Sequence, residues 1–163
     1  AFRHDYEFAV RYAGYHASPS RSPGAWIAFR EGDWLKGDYT FLLKREEGDS
    51  SIPLYNVDSS RYGLWARQIP AGQTMRLTLD PVFAKSLEGT PATVRLRYLD
   101  EGKAQATITA FRTSRRFDTT DSRTWRVAVC GVPAAPVWTD ISVEAGDAPL
   151  TVHMVEVVRE TAD

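Results

Sequence analysis

Hydrophobic and polar residues alternate along most of the chain with a period of two. Tyr6, Phe8, Val10 and Tyr12 alternate with Asp5, Glu7 and Arg11, and Met75, Leu77 and Leu79 with Thr74, Arg76 and Thr78. Val94, Leu96 and Tyr98 alternate with Arg95 and Arg97, and Trp125, Val127 and Val129 with Thr124 and Arg126. Each run predicts an antiparallel strand with one buried and one solvated face. Residues 25–30 and 38–45 are more apolar on both faces and read as central strands. The predicted strands are 5–12, 25–30, 38–45, 61–69, 73–79, 92–99, 104–111, 123–130, 138–143 and 150–158. One short helix is predicted at 81–87, with Asp80 as N-cap, Pro81 in its first turn and Gly89 just past its end.

Turn signals separate the runs: Pro23-Gly24, Glu31-Gly32-Asp33, Pro70-Ala71-Gly72, Asp100-Glu101-Gly102-Lys103 and Ala145-Gly146-Asp147. Short strands at this spacing predict an all-β fold, an antiparallel β-sandwich or jelly roll of about ten strands. The length of 163 residues suits a single domain spanning 1–163. With ten strands running alternately up and down, connections 13–24, 46–60, 80–91, 112–122 and 144–149 fall at one end. Connections 31–37, 70–72, 100–103 and 131–137 fall at the other. The first set is longer, and long loops on a rigid scaffold are where binding residues concentrate.

Composition narrows the function. A net charge of -1 gives the whole molecule no pull toward nucleic acid or membranes, so charge recognition must be local. Basic residues are sixteen Arg against four Lys, which fits either a GC-rich genome or planar recognition of carboxylate and sulfate. The single cysteine, Cys130, excludes an internal disulfide and a multi-cysteine zinc cluster; it reads as a buried thiol. No run reaches the roughly 18 apolar residues of a membrane-spanning helix. No signal peptide is read. The chain opens at Ala1 directly in strand-like sequence, which reads as a processed protein or a domain excised from a larger one.

Catalytic signatures are missing. There is no G-x-G-x-x-G, phosphate-binding loop, H-E-x-x-H, EF-hand or G-x-S-x-G. No E-x-D-x-x-E strand places two carboxylates on one face for glycoside hydrolysis. The segments of jelly-roll alginate lyases are absent as well, and His4, His16 and His153 are far apart. What remains is a recognition surface on the long loops. Sugar sites need a flat aromatic face and planar polar groups for vicinal hydroxyls. Tyr15, Tyr55 and Phe117 are candidates for the face, and His16, Arg21, Asn56, Asp58, Arg115, Arg116 and Asp118 for the polar groups. The adjacent Arg115 and Arg116 point to an anionic sugar, uronate or sulfated. Trp26, Trp65 and Trp125, on strands, read as core. Asp5 and Glu7, with Glu156 near the chain's end, are the candidate ligands of a structural calcium.

The chain resembles the galactose-binding-like β-sandwich modules of bacterial glycoside hydrolases and polysaccharide lyases, in the style of carbohydrate-binding module families 6 and 35. The residues that carry the resemblance are Asp5–Tyr12, Gly37–Phe41, Arg61–Arg67, Val94–Gly102, Asp121–Trp125 and His153–Val157. It implies a domain that binds polysaccharide without cleaving it, joined to a catalytic domain, secreted or on the cell surface, and monomeric, with calcium common. The first strand lacks the E-x-E pair that often holds calcium in those families. The long loops carry no tryptophan, so stacking falls to tyrosine or phenylalanine. Three further readings stay open: a structural sandwich packed on a catalytic domain, a small lyase using Tyr15, His16 and Arg21, and a protein-binding adhesin module.

Overall fold

The computed structural model describes residues 18–29, 38–58 and 64–160, with the backbone alone for 55–58, 64 and 65. The strands among them are β1 (Gly24–Ala28), β2 (Tyr39–Phe41), β3 (Leu43–Arg45), β4 (Ile52–Asp58), β5 (Leu64–Ile69), β6 (Thr74–Leu79), β7 (Ala92–Leu99), β8 (Gln105–Ala110), β9 (Thr113–Asp118), β10 (Trp125–Val132), β11 (Asp140–Ala145) and β12 (Leu150–Arg159). A 3-10 turn spans Pro19–Arg21 and one helix, α1, spans Pro81–Ser86.

The period of two becomes burial. In β6, Met75, Leu77 and Leu79 are buried while Arg76 and Thr78 are exposed. Two antiparallel sheets result, forming a β-sandwich. One runs β3-β6-β11-β8-β9. The other runs β10-β7-β12-β1-β2, with β5 and β4 added beside β12. Along one edge β12 pairs with β7 throughout; along the other it meets β5 at 150–152 and β1 at 154–158. This central strand is buried over Leu150–Val157, including the polar Thr151, His153 and Glu156. Inward residues of both sheets, among them Ile27, Leu77, Leu96, Ile108, Val143 and Val155, form one core. Helix α1 closes one end as expected: the Asp80 carboxylate accepts from the N–H groups of Val82 (2.9 Å) and Phe83 (3.1 Å), and Phe83 and Leu87 are buried.

The structure departs from the expected strands at three places. Residues 52–58 and 113–118 were expected within loops and are strands β4 and β9. The predicted strand 38–45 is central in neither sheet. It breaks at Leu42 (φ 64°) into β2, at an edge of one sheet, and β3, at an edge of the other. The extra strands reverse the up-and-down count. Residues 46–51, 119–124 and 146–149 lie at the end with the 70–73 turn, and α1 and the 111–112 turn lie at the opposite end. Among the described residues, the long loops therefore do not form one apical cluster. Trp26 and Trp125 point to the outer face of the seven-stranded sheet and are half-buried. Trp26 packs on Phe41 (6.3 Å between rings) and Trp125 meets His153 edge-on (6.0 Å).

Candidate functional site

The outer face of the five-stranded sheet is built from the polar half of its alternation. The register sets Arg76, Ser142, Thr109 and Ser114 in one row across β6, β11, β8 and β9, and Glu46, the residue after β3, continues it beside Arg76. Thr78 and Asp140 pair above this row; Thr74, Glu144, Thr107 and Arg116 form the next row below. At about 4.8 Å between strands, a row spans about 19 Å. Thr109 and Ser114 share a hydroxyl–hydroxyl hydrogen bond at 2.9 Å. Arg76 makes no ion pair among the described residues.

A groove of about 380 Å³ lies on this face. Arg76, Thr78, Thr109 and Ser142 supply polar groups over a floor of Leu77 and Ile141; Glu46 and Asp140 add carboxylates and Phe111 one aromatic side chain. The groove's formal balance is thus one arginine against two carboxylates. Hydroxyls, a guanidinium and carboxylates on rigid strands can hydrogen-bond vicinal diols, and a ring beside them can stack on the C–H side of a sugar.

Phe111 is strained. It and Arg112 form the two-residue turn between β8 and β9, and its φ is 55°. Such turns favour glycine or asparagine at a left-handed position, and a residue with a Cβ there costs about 1–2 kcal/mol. Its half-buried ring packs against the core at the edge of the groove. The guanidinium of Arg112 lies over the Phe111 ring at 5.4 Å.

Among the described residues, those expected to form a site lie apart. Tyr15 and His16 lie outside the described residues, as do Asp5 and Glu7. Tyr55, Asn56 and Asp58 lie on β4, whose side chains there are not described; β4 borders the seven-stranded sheet. Arg21 is exposed in the 3-10 turn beside α1. Arg115, Arg116, Phe117 and Asp118 belong to β9, an edge strand of the five-stranded sheet rather than a loop. Phe117 is no stacking platform. Pairing with Ala106 turns it inward, where its ring packs 4.9 Å from that of Tyr98. Arg116 and Asp118 point to the same outer face as the groove, opposite Thr107 and Gln105. Arg115 points the other way, and its charge reaches Cys130 on β10. Burial pushes that thiol's pKa up, and Arg115 pulls it partly back.

Glu156 lies on the outer face of the other sheet, buried, with its Oε1 3.8 Å from Arg95 Nε. The described residues therefore supply this carboxylate with an arginine, and among them no three His, Cys, Asp or Glu side chains converge as a metal site.

Sequence reasoning missed Arg76, Phe111, Asp140 and Ser142. Arg76 was legible as the polar half of a strand, but polarity alone does not separate a binding face from a solvated one. Phe111 was placed at the end of a strand, because Ala110-Phe111-Arg112-Thr113 carries no turn residue.

No family model and no curated protein matches the chain. Solved structures do. The CBM22-1 xylan-binding domain of Xyn10C from Paenibacillus barcinonensis has a TM-score of 0.54 at 11% identity, over 85% of this chain and 94% of that one. The C-terminal CBM6 of LamC, a marine laminarinase of Zobellia galactanivorans, gives 0.51 at 8% identity over 83% and 98%. The K1 cleaved adhesin domain of Lys-gingipain from Porphyromonas gingivalis gives 0.54 at 11% identity over 85% and 99%. The chain shares the β-sandwich fold of these carbohydrate-binding modules and of this adhesin domain.

Proposed function

We propose that this chain is a non-catalytic carbohydrate-binding module that holds a polysaccharide along the outer face of its five-stranded sheet. In this role it keeps an attached polysaccharide-degrading enzyme, outside the cell or on its surface, at its substrate. The observation that carries the reading is the groove itself: hydroxyls, Arg76 and a strained Phe111 on a rigid sheet. The fold shared with the CBM22 and CBM6 modules supports it. We take the polymer to be acidic or sulfated, on the strength of the arginines of β9.

The test is native affinity electrophoresis of the 163-residue chain through gels holding neutral or anionic polysaccharides, with a reducing-end assay beside it. Retardation without new reducing ends supports the module. Release of products moves the chain to the enzymes, and no retardation by any polymer leaves a structural or adhesin domain. Calcium enters this reading only through Asp5 and Glu7 meeting Glu156. A Tm lowered by EDTA and restored by calcium supports that site, and an unchanged Tm removes it.

A further inference from the structure

Resting on that reading, we infer that the two tasks of recognition are divided: the groove takes the sugar rings, and the edge strand β9 takes the anionic substituents. The charges separate this way. Within the groove, Arg76 faces two carboxylates, Glu46 and Asp140, so a uronate or sulfate there meets net negative charge. On β9 and its turn, Arg112, Arg115 and Arg116 stand against Asp118 alone. All three arginines are exposed, and none makes an ion pair among the described residues. Residues 111–132 hold five arginines against two aspartates, whereas the rest of the chain holds fifteen basic residues against nineteen acidic ones.

β9 is rigid enough for this task. Phe117 anchors it on Tyr98, and all six of its residues pair with β8. From Arg112 to Arg116 is about 14 Å along an extended strand. The strip joins the groove directly, because Thr109, a groove residue, hydrogen-bonds Ser114 of β9. A chain lying across the strands thus passes from the groove onto Arg116, and a substituent that reaches round the edge meets Arg115 on the strand's other face. Edge strands also carry charge to prevent sheet-to-sheet pairing. Guanidinium forks match carboxylate and sulfate alike.

The experiment compares the chain with its Arg115→Gln/Arg116→Gln variant on two pairs of probes. These are polygalacturonate with its carboxyl-reduced form, and a sulfated galactan with its desulfated form. Calorimetric titration at low and moderate salt reads both. The expected result is about tenfold weaker binding of an anionic probe by the variant at low salt, a flattened salt dependence, and unchanged affinity for the neutral partner. The anionic pair that shows this identifies carboxylate or sulfate as the group read. Equal losses on anionic and neutral probes, or no loss on either, overturn the division. So does single-stranded DNA bound with the same affinity and the same dependence on these arginines, since the strip then reads any polyanion. A wild-type chain that binds none of the four probes overturns the proposed function itself, whatever the variant does.

Discussion

Asp100 and Thr120 are joined twice: one carboxylate oxygen accepts from the Thr120 N–H at 2.7 Å and the other from its hydroxyl at 2.7 Å. Ser122 adds its N–H at 3.0 Å and its hydroxyl, and Arg126 Nε stands 3.4 Å away. Asp100 ends β7 with no exposed surface, covered by the 119–124 loop that links β9 to β10. This carboxylate fixes the base of the arginine edge. Replacing it removes four hydrogen bonds that hold the 119–124 loop, so Asp100→Ala lowers stability by about 3 kcal/mol, measured by chemical denaturation.

The same residue sets a pH dependence. Burial pushes the Asp100 carboxyl up, but the hydrogen bonds from Ser122 and Thr120 outweigh it and hold the group well below the usual carboxylate range. A lowered folded pKa contributes stability that is complete above the unfolded value of about 4 and is lost as pH falls toward the folded one. The wild type's Tm therefore falls more steeply below about pH 4 than that of Asp100→Asn. Parallel Tm curves would remove Asp100 from the acid limb.

Cys130 is 1% exposed and its thiol is pushed up by burial. The thiolate is the reactive form, so the native chain resists alkylation at neutral pH and reacts fully once unfolded in guanidinium. Rapid labelling of the native state, read by mass spectrometry, would show that the β9–β10 side of the sandwich opens.

The sandwich was legible because burial on one face leaves a period of two, and β6, β7 and β10 show it cleanly. Helix α1 was legible from Asp80 and Pro81. β4 and β9 were not. β4 carries Pro53 and ends in Asn56-Val57-Asp58, and an edge strand, free on one side, tolerates both. In β9 only Phe117 and the partly covered Thr113 depart from exposure, so Ser114-Arg115-Arg116 reads as loop. Missing two edge strands moved Arg115 and Arg116 from a sheet edge to an imagined apex. The pairing of Arg115 and Arg116 itself was visible, but their relation to Arg76 and Thr109 depends on strand register, which lies between distant segments.

Phe111 separates function from fold. Phe111→Gly relieves a left-handed backbone worth about 1–2 kcal/mol and loses the packing of a half-buried ring, two effects of opposite sign. The net stability change is within about 1 kcal/mol by denaturation, while the stacking surface is gone.

The measurement that weighs most on carbohydrate binding by this face is therefore the affinity of the wild type and Phe111→Gly for the same polysaccharide, with both chains shown folded by circular dichroism. Binding by the wild type that falls about tenfold or more in the variant, at nearly equal stability, is the expected result. Equal affinity in two folded proteins would contradict it and place any sugar site away from the five-stranded sheet.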